Sequence, residues 1–184
     1  HGAVIGTSSL RRGAQIRHAR PDIIIVPLRG NVETRLKKLQ TENMDAVVLA
    51  AAGVKRLNLE YRITEYLDPG IMLPAVGQGA LSIEIRQNDP DIQSIIKTLD
   101  DPPTRAIVTG ERAFLNYLGG SCQVPIAGHG EINRNTFNLT GLVADLDGSR
   151  ILKATLSGST DSTETIGIRL AQQLLDQGAD KILE

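Results

Sequence analysis

The chain has 184 residues, is 41% hydrophobic and carries a single cysteine. That length and apolar content support one or two domains with a real core and exclude a disordered chain, and a lone cysteine excludes an internal disulfide framework. The net charge of −1 conceals an asymmetry: residues 1–62 hold eleven Lys/Arg against five Asp/Glu, residues 63–184 nine against sixteen. A basic first part suits an anionic ligand or a solvated basic face. Aromatics make up only 3%, so the core must be aliphatic. No apolar run reaches membrane-spanning length and no charged-then-apolar leader opens the chain, so the expected setting is soluble and cytoplasmic.

His1-Gly2-Ala3 leads straight into a strand over residues 3–7, an abrupt start that fits a short chain or a piece of a longer one. Thr7-Ser8-Ser9 supplies hydroxyls to cap a helix that begins near Leu10 and stops before Pro21. A second strand is predicted over residues 22–28, a turn at Arg29-Gly30-Asn31, and a helix from Val32 to about Gln40. A third strand over 45–49 precedes an Ala-rich helix over 50–57. This alternation, with nearly all-apolar strands, predicts an α/β fold with a parallel sheet covered on both faces.

Residues 68–80, with Pro69-Gly70, Pro74, Gly77 and Gly79, read as a hinge. Residues 81–86 alternate as a strand would, and 91–99 read as a helix. Pro103 and Thr104 suit the first turn of a long helix that ends at Gly119-Gly120. The pattern then turns antiparallel. Strands over about 124–132, 136–144 and 150–158 surround the hairpin signal Asp147-Gly148, and a helix over 161–176 places Ile166, Leu170 and Leu174 on one face. The second part is thus a small α+β domain with a three-stranded antiparallel sheet.

Three constellations carry chemistry. In Thr7-Ser8-Ser9-Leu10-Arg11-Arg12, hydroxyls and two arginines sit where a parallel strand meets a helix N-terminus, which is where α/β folds bind ligands and where free N–H groups favour an anion. A capped helix with surface arginines is the competing reading. Cations at a helix N-terminus oppose the macrodipole by about 0.3–1 kcal/mol each, so the pair suggests an anion that offsets the cost. In Arg29-Gly30-Asn31-Val32-Glu33-Thr34-Arg35, the same logic recurs: Gly30 permits close backbone approach, Asn31 caps, and Arg35 points back to the same end. Adjacent strands would set both turns beside one crevice, with Arg56 at its rim. The third is Cys122 in Gly119-Gly120-Ser121-Cys122-Gln123, either an inert thiol or a site of covalent chemistry. His129 is the nearest imidazole in sequence, and His1, His18 and His129 are too scattered to make a metal site with it.

Gly6-Thr7-Ser8-Ser9-Leu10-Arg11-Arg12, Leu28-Arg29-Gly30-Asn31-Val32 with Thr34-Arg35, Leu73-Pro74-Ala75-Val76-Gly77-Gln78-Gly79-Ala80 and Gly120-Ser121-Cys122-Gln123-Val124-Pro125-Ile126 occur in that order. Together they resemble porphobilinogen deaminase, also called hydroxymethylbilane synthase, over essentially the whole chain. The resemblance implies a three-domain transferase of tetrapyrrole and haem biosynthesis, monomeric at full length. It joins four porphobilinogen units head to tail, with loss of ammonia, on a dipyrromethane primer held by a thioether to a loop cysteine, here Cys122. The pyrrole carboxylates would be held by Thr7, Ser8, Ser9, Arg11, Arg12, Arg29, Gly30, Asn31, Arg35 and Arg56, with Gln78 and Gly79 lining the cleft.

The resemblance lacks the family's N-terminal domain, which carries the catalytic aspartate, so no catalytic residue is assigned here and the chain alone is expected to be inactive. Residues 1–79 resemble most of a second, periplasmic-binding-protein-like domain, 80–99 a return segment that packs on the missing first domain, and 102–184 the third domain. Gly119-Gly120-Ser121 stands where many members have Glu-Gly-Gly. Two other readings compete. One is a non-catalytic anion-binding module, which would not need Cys122. The other is nucleic-acid binding, disfavoured because the arginines sit at strand-end turns and stacking aromatics are few.

Overall fold

The computed structural model describes residues 1–120 and 124–183. Three short strands, β1 (Val4–Gly6), β2 (Ile24–Val26) and β3 (Ala46–Val47), form a parallel sheet in the order β2-β1-β3. Val4 pairs with Ile24, and Ile5 with both Ile25 and Ala46. Because β1 lies between its two successors, the chain leaves its C-terminal end toward one neighbour and returns on the other side. Such a reversal opens a crevice above the strand ends.

Helix α1 (Leu10–Ala19) starts where Ser9 accepts a hydrogen bond from the Arg12 N–H, and α2 (Val32–Thr41) where the Asn31 side chain accepts one from Thr34 N–H. Both caps satisfy donors that a helix start leaves orphaned. Helix α3 (Ala51–Arg56) follows β3 and has no side-chain cap. The core beneath is small: Ala14, Ile16, Leu28, Leu36, Met44 and Val54 are its buried apolar residues. Cover on the β2 edge is incomplete, with Ile24 54% exposed, so the expectation of a sheet covered on both faces is only partly met.

The antiparallel unit is denser. Strands β4 (Ile126–Asn133), β5 (Thr136–Ala144) and β6 (Ile151–Ser159) pair in sequence order. The β5–β6 turn includes Asp147-Gly148 as expected, with Gly148 at φ +75°, a conformation that disfavours a side chain. Helices α5 (Pro102–Tyr117) and α6 (Thr163–Asp176) cover one face and enclose Phe114, Phe137, Leu139, Val143, Leu170 and Leu174. The two helices approach closely enough that a Cβ at Gly167 would collide with the Gly110 carbonyl.

A second apolar cluster joins the units. Ala14 of α1 and Leu73 pack against Ala127, Leu142 and Ala144 on the antiparallel sheet. Polar contacts surround it. The Arg17 guanidinium donates to the Leu146 carbonyl at 3.0 Å, His18 Nδ1 donates to the Gly148 carbonyl at 2.9 Å, and Lys153 donates to the Gly70 carbonyl at 3.1 Å.

Three differences from the sequence reading stand out. Residues 81–86 form no strand. Their alternation is real, but no described strand pairs with them, and Leu81 and Ile83 are 77% and 54% exposed. A strand needs a partner ladder as well as a pattern. The helix predicted over 91–99 is α4 (Pro90–Ile96) followed by one tighter turn over Lys97–Leu99. A short C-terminal helix, α7 (Asp180–Leu183), was not expected.

Candidate anion-binding site

The two turns that the sequence reading singled out lie side by side at the C-terminal ends of β1 and β2, and Ser8 joins them. Its hydroxyl donates to the Leu28 carbonyl at 3.0 Å and accepts from the Leu28 N–H at 2.8 Å. Thr7 is buried and continues the sheet, its N–H donating to Val26 O at 3.0 Å while its hydroxyl accepts from the Ser9 N–H at 3.2 Å. Ser9 caps α1. These three hydroxyls therefore fix the shape of the turns.

The arginines converge from both sides. Arg12, in the first turn of α1, donates to the Val48 carbonyl beyond β3 at 3.1 Å and so spans the crevice. Arg35, one turn into α2, folds back and donates from Nε to the Gly30 carbonyl at 2.8 Å. Gly30 has φ +121°, and a Cβ there would collide with Thr34, so the turn that receives Arg35 needs glycine. Burial, and then the nearby Arg35 guanidinium, lower the Arg12 pKa from its ordinary value. Crowding of two cations near two helix N-termini is unfavourable without a counter-charge, and the first turn of α1 has no acidic residue. Arg11 is half-buried beside Arg12, and Arg29 is exposed at the end of the β2 turn. Guanidinium forks, hydroxyls and free helix N–H groups are the donor set for a ligand with several carboxylates.

Arg56 follows the third strand by one short helix. It sits in the last turn of α3, the end away from β3, and is exposed. Gln78 and Gly79 belong to a different cleft, of about 250 Å³, lined also by Gly77, Thr104, Glu111 and His129. Gly77 and Gly79 have φ +69° and +89°, which makes the hinge turn dependent on glycine. Cys122 lies outside the described residues.

One functional group escaped the sequence reading. Glu111 is buried, and its two carboxylate oxygens accept from Gly77 N–H at 2.6 Å and Gly130 N–H at 2.7 Å. Burial raises its pKa, and the two N–H bonds and His129 oppose that rise in part. Its place in the apolar series Ile107, Glu111, Phe114, Leu118 was the available signal, since that spacing puts a carboxylate on the core face of a helix.

The fold is that of an α/β protein with arginine-bearing turns at the ends of its parallel strands and an appended antiparallel domain. Two family models match: "Porphobilinogen deaminase, dipyromethane cofactor binding domain" over residues 1–94 and "Porphobilinogen deaminase, C-terminal domain" over residues 106–176. The chain is 52% identical to a porphobilinogen deaminase of Syntrophotalea carbinolica over 99% of its own length and 58% of the relative's. It is 52% identical to one of Geobacter metallireducens (99% and 57%) and 50% identical to one of Oceanobacillus iheyensis (100% and 59%). This chain belongs to the porphobilinogen deaminase family, and it spans about 58% of the length of the first of these relatives.

Proposed function

We propose that this chain is the cofactor- and chain-holding part of a hydroxymethylbilane synthase, the transferase that joins four porphobilinogen units into a linear tetrapyrrole. The observation that carries the reading is the approach of Arg12 and Arg35 across the ends of β1 and β2, where burial and mutual repulsion lower the Arg12 pKa. Carboxylates that enter there gain charge-assisted bonds and relieve that repulsion. Family membership supports pyrrole acetate and propionate groups as those carboxylates.

Thr7, Ser8, Ser9, Arg11, Arg12, Arg29, Gly30, Asn31 and Arg35 would form the holding set, with Arg56, Gln78 and Gly79 at its margins. The donor chemistry fits a dipyrromethane, which when bound supplies the primer for chain growth, and Cys122 is its proposed point of attachment. The arginines bind and orient the carboxylates. Ser8 keeps the two turns in register, and Arg12 holds its place through the Val48 carbonyl. Residues 1–79 serve as the anion-binding domain, 80–99 as a segment that packs on a preceding domain, and 102–184 as the domain that bears the cysteine. The partners are porphobilinogen and its oligomers, with neither nucleic acid nor membrane, and the full-length protein is a cytoplasmic monomer.

Intact-mass measurement of the full-length protein tests this. The expected result is an added mass of one dipyrromethane that Cys122→Ala abolishes. Turnover of porphobilinogen without such an adduct would overturn the attachment, and the 184-residue polypeptide alone is expected to release no hydroxymethylbilane.

A further inference from the structure

Residues 73–77 run between the two units as a strap that ends in a turn, and three separate elements hold it. On the α1 side, the buried Gln15 amide makes a two-way pair with Leu73: Nε2 donates to the Leu73 carbonyl at 3.0 Å, and Oε1 accepts from the Leu73 N–H at 2.8 Å. On the α5 side, Glu111 accepts from Gly77 N–H and also from Gly130 N–H of β4. Between them, the Gly128 N–H of β4 donates to the Pro74 carbonyl at 3.1 Å. All but the last are side chains satisfying backbone groups that no sheet or helix satisfies, at sequence separations of 58, 34 and 19 residues.

The identities of the two helices make this more than packing. Gln15 stands one turn after Arg11, and its Nε2 also lies 3.3 Å from the Arg11 carbonyl, so it is fixed to the turn that carries the arginines. Glu111 sits on α5, whose end at Tyr117 is followed five residues later by Cys122. The strap therefore links the helix that holds the carboxylates to the helix that leads to the cysteine.

We infer that Gln15 and Glu111 are positioning residues, two clamps in series on one strap, that set the anion-binding turns relative to α5, the helix that precedes the cysteine in the chain, during porphobilinogen turnover. This rests on the reading of Cys122 as the attachment point. Neither residue touches the substrate in this role. Loosening either clamp leaves the arginines intact, so binding persists while the growing end loses its alignment with the holding set. Misplacement on the ångström scale costs on the order of tenfold to a hundredfold in rate.

The test uses the full-length enzyme with Gln15→Met, Glu111→Gln and the double variant. Turnover is normalised to folded molecules that carry the adduct, as counted by intact mass. Each single variant is expected to lower kcat by roughly tenfold or more with KM within about threefold. Backbone amide exchange over residues 73–77 is expected to accelerate in both. Because the clamps act in series, the double variant should lose no more kcat than the worse single variant, whereas independent structural losses would multiply. If Gln15→Met does not fold, Glu111→Gln, which preserves size, carries the kcat and exchange comparisons alone.

A kcat per loaded molecule within twofold of the unsubstituted enzyme overturns the inference, as do losses that multiply in the double variant. Absence of any adduct on Cys122 in the unsubstituted enzyme overturns the attachment reading itself, and the inference with it. The two failures are therefore distinguishable.

Discussion

The parallel sheet is built from strands of three, three and two residues, the antiparallel sheet from strands of eight, nine and nine. The first encloses a small core under two basic turns. The second encloses Phe114 and Phe137 completely, beneath two helices that touch through glycine. The difference separates two tasks. In the first unit the arginine-bearing turns sit at strand ends, so strands need only be long enough to aim them. In the second, the sheet and helices close around a continuous apolar core. The larger core and the arginine-bearing turns thus lie in different halves of one chain.

The sharpest way to break that comparison is to remove core volume from each half. Phe137 is fully buried, and Phe137→Ala is expected to cost about 3–5 kcal/mol in chemical denaturation. Leu36 is 8% exposed in the thinner core, and Leu36→Ala should sit near the low end for such changes, about 2 kcal/mol. Equal losses would show that the two cores carry equal weight.

Gly148→Ala probes the junction. Its backbone is left-handed, and an added Cβ would collide with the Ala14 carbonyl and press on His18 N. Overpacking of this kind costs roughly 1–3 kcal/mol, and here it would also push the hairpin off α1. A shift confined to the contacts of Arg17 and His18, with both sheets intact by amide exchange, would show that the halves fold independently. One cooperative loss would show that they do not.

Local features were legible in the sequence because short-range physics decides them. Ser9 and Asn31 cap the helices they precede, Pro21 follows the end of α1, and Asp147-Gly148 turns the hairpin. The crevice was legible too, since alternating strands and helices imply adjacent turns. What failed or stayed hidden depends on distant partners. The 81–86 alternation finds no strand to pair with among the described residues. Ser8 reads as one more hydroxyl for an anion, yet both its hydrogen bonds go to Leu28, twenty residues away. Gln15 meets Leu73 at a separation of 58, which no local pattern encodes.

Arg12→Gln sets function against stability within the first half. Loss of a charged donor should weaken binding of an oligopyrrole polycarboxylate at least tenfold, in keeping with about 1.5–3 kcal/mol for a charge-assisted bond. Stability of the ligand-free protein should change by less than about 1 kcal/mol, because the lost bond to Val48 O is offset by relief from Arg35. Arg12→Lys keeps the charge but not the fork, and is expected to fall between. A large loss of stability with unchanged binding would reassign Arg12 to the scaffold.

The smallest effect lies in the pH dependence, where carboxylates in the second half oppose one another. Asp101 and Asp147 are surface groups whose pKa values are lowered, chiefly by the Thr104 side chain for Asp101 and by the Ser149 N–H for Asp147. Their contribution is present above their ordinary value of 3.8 and is lost as the pH falls. Glu111 has the opposite sign, because burial raises its pKa above the ordinary 4.5 and the folded state holds the proton more tightly than the unfolded chain. Its contribution is full below pH 4.5 and declines as the pH rises through the raised folded value. Glu111→Gln should remove that decline and leave the acid limb, set by Asp101 and Asp147, in place. Denaturation midpoints of both proteins across this range give the difference curve. A flat difference would mean that the N–H bonds from Gly77 and Gly130 fully compensate burial, and that the strap is held by a carboxylate with no net charge penalty.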